Sequence, residues 1–170
     1  FEIEQTLTRT DWFIFTSTNA VQCYCSLLDD AKMRQLKTKS CLAIGQATAK
    51  ALISAGLNVD LTPVDGYNSE ALLALDELQN VSQKTILIIR GENGRETLAQ
   101  TLKKRGANVR YQDVYKREIP QIDGTQILKQ KLDFITITSG EAVENLVTML
   151  PKSQHDLLKK IPLIVVSERI

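Results

Sequence analysis

Residues 11–21 read DWFIFTSTNAV, and residues 133–143 read DFITITSGEAV. The two stretches lie 122 positions apart (133 − 11). Each runs from an acid through a short, β-rich apolar segment into a hydroxyl-bearing turn, then into Ala-Val. The local reading of both is a strand followed by a capped helix. The same offset maps LAIG at 42–45 onto IVVS at 164–167. Chance likeness between strand–helix units is the alternative. Register kept across a helix and a second strand favours two copies of one α/β unit.

Outward from these stretches, strand and helix signals alternate. Residues 12–16 (WFIFT) are a first strand, after which Ala20, Val21, Tyr24, Leu27 and Leu28 recur at helical spacing. Residues 41–44 (CLAI) are a second strand, and Gly45 precedes a helix through Leu52 that Gly56 ends. Residues 58–61 read as a third strand, and Ser69 caps a helix carrying Leu72, Leu75 and Leu78. Residues 85–89 (TILII) are a fourth strand and 90–94 a glycine-rich turn. Leu98, Ala99 and Leu102 mark a helix stopped by Gly106, and 108–115 are a fifth strand. A helix from Pro120 through Leu132 leads to a strand at 133–138. A helix carrying Ala142, Val143, Leu146, Val147 and Leu150 follows, then a last strand at 162–166.

This order predicts parallel sheets flanked by helices. TILII lacks alternation, as a strand buried on both faces should. Ligands of such sheets gather where the strands end. Four loops there offer small residues and hydroxyls at a helix start: TSTNA (16–20), IGQATA (44–49), RGENGRE (90–96) and TSGEA (138–142). Free N–H groups and the helix dipole suit anions at such places, although Ser, Thr and Asn are also ordinary caps. RGENGRE lacks the Gly-Lys-Ser/Thr of a phosphate-binding loop and the full dinucleotide fingerprint. Arg90 and Arg95 are suited to pairing with carboxylates, with a solvated surface as the ordinary alternative. Tyr115 lies in DVYKREIP (113–120), an extended connector ending at Pro120, where a phenol can donate a proton to a leaving hydroxyl. A packed strand tyrosine is the plainer reading.

The 170 residues are 43% hydrophobic and 24% charged, with a net charge of +1, as in an ordinary globular protein. That balance draws in neither nucleic acid nor an acidic membrane, and no apolar run reaches the roughly 18 residues of a bilayer span. Cys23, Cys25 and Cys41 lack disulfide-framework spacing, which fits a reducing compartment. Cys23 and Cys25 point apart on a helix, and the single histidine, His155, sits on a polar helical surface. Metal binding is therefore not expected. The chain opens on Phe1 rather than Met, and the second copy stops at Ile170 just after its second strand. A missing N-terminal segment and an incomplete second domain are expected.

Taken in order, IFTSTNAV, AIGQATAKAL, NSEALL, IIRGENGRETLAQTLKKRGANV, VYKRE, ITSGEAV and VVSERI resemble the uroporphyrinogen-III synthase family over nearly the whole chain. The resemblance implies two parallel-sheet α/β domains of similar topology. A two-strand linker would join them, with the active site in the cleft between. Residues 5–113 would be the complete inserted domain, 1–4 and 114–120 the linker strands, and 121–170 part of a discontinuous second domain. It further implies closure of the linear tetrapyrrole hydroxymethylbilane into uroporphyrinogen III, with inversion of the D ring and loss of water. No cofactor is implied. Tyr115 matches the tyrosine proposed to assist departure of the hydroxyl. The expected substrate contacts are Ser17, Thr18, Gly45, Thr48, Ser69, Arg90, Gly91, Ser139 and Gly140. A cytoplasmic monomer is implied, with transient contact to the preceding pathway enzyme at most. The rival reading is a non-catalytic, two-lobed anion-binding protein. A receiver-like domain is disfavoured, because Asp11 and Asp133 precede their strands rather than follow them.

Overall fold

The computed structural model describes residues 3–122, 124–168 and 170. It divides into two units, Phe1–Arg117 and Glu118–Ile170. In the first, α1 (Ile3–Arg9) leads into β1 (Trp12–Phe15), α2 (Thr18–Ser26), α3 (Asp30–Leu36), β2 (Ser40–Ala43) and α4 (Gln46–Ser54). Then come α5 (Ser69–Leu73), β3 (Thr85–Gly91), α6 (Thr97–Lys104) and β4 (Asn108–Tyr115). The four strands form one parallel sheet in the order β2-β1-β3-β4.

Why the strands lack alternation is plain from their neighbours. Phe13, Phe15, Leu87 and Ile89 face one way, onto Ala20, Val21 and Tyr24 of α2 and Ala49 and Leu52 of α4. Ile14, Ile86 and Ile88 face the other way, onto Leu72, Leu98 and Leu102 of α5 and α6. Both faces of β1 and of the middle of β3 are covered, so those positions are apolar, whereas β4 at the sheet edge carries Asn108, Arg110, Gln112 and Asp113. Each large side chain buried here contributes about 1.5–3 kcal/mol.

The second unit holds α7 (Thr125–Leu128), β5 (Ile135–Ile137), α8 (Gly140–Thr148), α9 (His155–Leu158) and β6 (Leu163–Val165). Its two strands pair in parallel. The offset of 122 extends to the hydrogen-bond register. Phe13 pairs with Cys41 and Phe15 with Ala43, while Ile135 pairs with Leu163 and Ile137 with Val165. The helices Thr18–Ser26 and Gly140–Thr148 have the same length and the same offset. Ser17 accepts a hydrogen bond from Ala20 N–H at 3.0 Å, and Ser139 accepts one from Ala142 N–H at 3.2 Å. The repeat is thus one of structure as well as of letters.

Several local expectations are corrected. Residues 58–61 make only an isolated bridge, Leu42 to Leu61. The Asp60 carboxylate takes the Cys41 N–H at 2.8 Å, occupying a donor that a continuing ladder would use, and Pro63 has no N–H to extend it. The helix after Gly66 is capped by Asn68, whose Oδ1 accepts from Ala71 N–H at 2.8 Å, rather than by Ser69. It ends at Leu73, and Leu78 lies in a separate 3₁₀ turn, Asp76–Leu78. The helix expected from Pro120 to Leu132 is a single turn, α7. Ile3 and Glu4, assigned to a linker strand, open α1. The first two residues of that assignment lie outside the described residues. Arg90 and Gly91, assigned to a turn, are still in β3. Among the described residues no helix is long and apolar enough to cross a membrane.

Tyr24 tests the core. Its ring packs edge-on to Phe15 at 5.9 Å and near Phe13 at 6.4 Å. Its hydroxyl is buried without a hydrogen-bond partner among the described residues, and burial, with Cys25 and Cys41 nearby, pushes its pKa up. An unmatched hydroxyl contributes its desolvation cost and little else. Tyr24→Phe is therefore expected to leave stability unchanged, or raise it by up to about 1 kcal/mol, as read from urea midpoints at constant slope. A loss of more than about 1 kcal/mol would show that the hydroxyl has a bonding partner.

Candidate active site

The order β2-β1-β3-β4 places a switch point between β1 and β3, because the first connection runs outward from β1 to β2 and the next crosses back past β1 to β3 on its other side. Crevices open at the carboxyl ends of such strands. A cleft of about 500 Å³ lies there, lined by residues following β1 (Thr16, Ser17), the end of β3 (Arg90, Gly91) and the end of β4 (Tyr115).

Tyr115 reaches this cleft through a register shift. Arg90 pairs with Asp113, but Gly91 pairs with Tyr115, so Val114 is an extra residue. A one-residue bulge sends the next side chain to the opposite face. Strict alternation would put Tyr115 on the face of Tyr111, which packs with Ile88 and Leu98. Instead it lies on the α2 side, against Phe15 and its neighbours. There its hydroxyl meets Ser17 Oγ at 3.1 Å. Ser17 is fixed in turn by accepting from Ala20 N–H as the α2 cap. Gly91 leaves the room. A Cβ on it would sit 2.6 Å from two carbons of the Tyr115 ring. The carbonyl of Tyr115 also accepts from Glu92 N–H at 2.8 Å, continuing the pairing beyond the bulge.

Arg90 occupies a different role from the one its sequence suggests. It is 9% exposed. Its Nε donates to Asp113 Oδ1 at 2.9 Å, and its Nη1 donates to Glu96 Oε1 at 3.0 Å and to Gly94 carbonyl at 3.1 Å. The guanidinium lies 3.5 Å from the centre of the Tyr111 ring. Tyr111 itself donates to Glu96 Oε2 at 2.7 Å. Two carboxylates already neutralise this cation, so it braces the 92–96 loop instead of offering a free charge.

The other sequence candidates scatter. Ser69 lines the cleft from the first turn of α5. Thr18 opens α2 but does not line the cleft. Gly45 is covered by Tyr67; a Cβ there would be 2.9 Å from Tyr67 Cδ1. Thr48 is 4% exposed, inside the α4 packing. Ser139 and Gly140 form the equivalent cap in the second unit, where a Cβ on Gly140 would meet nothing within 4 Å. Among the described residues no three His, Cys, Asp or Glu side chains are placed to hold a metal. His155 donates from Nε2 to the carbonyls of Val147 and Leu150, each at 3.2 Å.

Sequence reasoning missed Tyr67 and Asn68, both on the cleft wall. Tyr67 is 69% exposed, an aromatic surface in reach of a flat ligand. The DGYNSE run carried the signal. Gly66 has φ +79°, a left-handed turn that glycine accommodates, and Asn precedes a helical run.

Geometry of this kind defines an α/β protein with a polar, hydroxyl-bearing cleft at the switch point of a parallel sheet. Comparison with known proteins narrows the class. The family model described as Uroporphyrinogen-III synthase HemD matches residues 1–170. The chain is 35% identical to the uroporphyrinogen-III synthase of Escherichia coli (strain K12), covering 96% of itself and 69% of that relative. It is 36% identical to the Salmonella typhimurium enzyme of the same name, covering 97% of itself and again 69% of the relative. Among solved structures, uroporphyrinogen-III synthetase from Helicobacter pylori 26695 superposes with TM-score 0.63 at 17% identity, over 93% of this chain and 77% of that one. A mutant uroporphyrinogen III synthase from Thermus thermophilus gives TM-score 0.60 at 20% identity, over 96% of this chain and 66% of that one. The chain belongs to the uroporphyrinogen-III synthase family, whose members are lyases of porphyrin biosynthesis.

The Arg90 network has a titration signature. The hydrogen bond from Tyr111, then that from Arg90, holds the Glu96 carboxyl below its usual range. Burial, then the bond to Glu96, pushes Tyr111 from 10.0 up to about 12. A phenol whose pKa is raised by folding adds stability below about pH 10, and that stability is lost as pH rises through about 12. In an absorbance titration of the phenolates, Glu96→Gln is expected to shift one tyrosine down toward 10. An unchanged curve would mean that burial alone sets Tyr111.

Proposed function

We propose that the chain cyclises hydroxymethylbilane to uroporphyrinogen III, inverting the D ring and releasing water. The observation that carries this reading is the Tyr115 hydroxyl at the switch-point cleft, 3.1 Å from Ser17 Oγ. Ser17 accepts from Ala20 N–H and keeps its own proton to give to the Tyr115 oxygen. The Tyr115 proton is then available to the substrate. Transfer to the departing hydroxyl releases water and leaves an azafulvene cation on the tetrapyrrole. The hydrogen bond from Ser17 stabilises the phenolate meanwhile. The substituted carbon of the D ring attacks the cation, and the spiro intermediate fragments and recloses as the inverted ring. A proton lost when the pyrrole regains aromaticity restores Tyr115. The enzyme's larger share is holding a flexible chain of pyrroles in one geometry.

Contacts to the substrate are assigned to Ser17, Ser69 and Gly91, which line the cleft. Tyr67 supplies an aromatic surface. Gly45 and Thr48 support the wall, and Arg90 braces it. For the domains, residues 5–113 are the body of one complete α/β domain, 114–120 a linker, and 121–170 part of a second. A monomer in the cytoplasm, meeting the preceding pathway enzyme at most transiently, fits a small-molecule substrate and a net charge of +1.

Hydroxymethylbilane generated in situ, with separation of the oxidised porphyrin isomers, tests the reading. Isomer III is expected to dominate, since unaided closure gives isomer I. Tyr115→Phe is expected to lower kcat by about 10–100-fold with little change in KM. Gly91→Ala should do much the same while the protein stays folded, because the new methyl displaces only the tip of the Tyr115 ring. No single hydroxyl among the binding residues should be worth more than about 10³-fold. Isomer I alone from folded protein would transfer the assignment to a non-catalytic anion binder.

A further inference from the structure

With Arg90 fully engaged, the cleft still has an arginine whose charge is barely spent. Arg95 lines the cleft and its side chain is 76% exposed. Its one ion-pair partner among the described residues is Glu70, at 4.0 Å, the outer limit of such a contact. Glu70 is itself 56% exposed. Solvated pairs at this separation hold weakly. The backbone beside Arg95 is held firmly by contrast, because Gly94 carbonyl and Glu96 are both anchored on Arg90. A weakly paired guanidinium thus rises from a fixed base beside Tyr67 and Ser69.

We infer that Arg95 is the carboxylate-binding residue of this cleft, and that Glu70 is a resident carboxylate which the ligand displaces. The occupant class is an acetate or propionate side chain on a pyrrole, which rests on the synthase reading above. A guanidinium takes a carboxylate through two parallel N–H bonds, a geometry that Glu70 at 4.0 Å does not achieve. Exchange therefore trades a loose internal pair for a tight external one. Glu70 holds the side chain over the cleft when no ligand is present, and sets a threshold that a neutral ligand cannot pass.

Uroporphyrin III, a fluorescent octacarboxylate, serves as a probe that needs no turnover. Titration into the wild-type chain is expected to show saturable quenching. Arg95→Gln should weaken binding about tenfold, and Arg95→Lys should fall between, since lysine cannot bond in the bidentate manner. Glu70→Gln should tighten binding about threefold by removing the competitor. Absence of saturable binding, equal affinity of wild type and Arg95→Gln, or no tightening in Glu70→Gln would overturn the exchange. Both residues are exposed, so none of these variants threatens the core. The isomer assay is run on the same samples. Isomer III with affinity independent of Arg95 would sink the exchange and leave the synthase reading standing. Isomer I with affinity dependent on Arg95 would do the reverse.

Discussion

A guanidinium cannot shed its charge on burial as an amine or carboxyl can, so a buried arginine dictates the positions of everything around it. Arg90 does this at the end of β3. Asp113 ties it to β4, Glu96 ties it to the start of α6, and Gly94 carbonyl ties it to the loop between. Tyr111 closes its open face. Glu96 and Asp113 are about half exposed on their own sides, so the network escapes most of the desolvation cost of a wholly buried pair. Remove the cation and two acids face one another across an unsupported loop. The shape of the cleft wall follows from this one side chain.

The bulge at Val114 depends on the same anchor. Arg90 and Asp113 fix the last regular pair of β3 and β4, and the extra residue comes immediately after. Tyr115 then swings to the α2 face and lies on Gly91, which has no side chain to obstruct it. A tyrosine one register position away would have packed beside Tyr111 instead. Positioning the Tyr115 hydroxyl beside Ser17 is therefore a consequence of an ion pair, a bulge and a glycine acting in sequence.

The inner strands were legible because β1 and β3 are buried on both faces, and continuous β-branched runs such as TILII, bounded by turn residues, signal that burial. The repeat was legible because pairing register converts a sequence offset into geometry, Phe13–Cys41 becoming Ile135–Leu163. Helices α1 and α3 left weaker traces. Each buries a single residue, Leu7 or Leu36, so no apolar period stands out. Asp29, which accepts from Lys32 N–H at 2.8 Å, was the available clue to α3. At the site, Tyr115, Ser17 and Gly91 were found from the strand-end rule and the resemblance together. Arg90 and Arg95 were indistinguishable in RGENGRE, since only the fold shows which of them meets Asp113. Tyr67 was hidden because a long loop carries no period, and its place against Gly45 is a long-range fact.

The two copies of the repeat show how one local solution serves different ends. Ser17 and Ser139 have nearly the same backbone, with φ −166° and −156° and ψ 163° and 155°, and each caps its helix by the same bond. That bond uses one lone pair of the hydroxyl and leaves its proton free. In the first copy the hydroxyl also lies 3.1 Å from that of Tyr115, so a residue required for folding meets a second polar group. Its cost is met by helix capping, about 1 kcal/mol of stability in either copy. The surroundings differ, a four-stranded sheet in the first unit and the pair β5-β6 in the second. A β4 that carries a bulge and a tyrosine brings a second hydroxyl to an ordinary cap. On this argument the repeat supplies well-placed hydroxyls at strand ends, and the single register shift after Arg90 decides which of them meets a tyrosine.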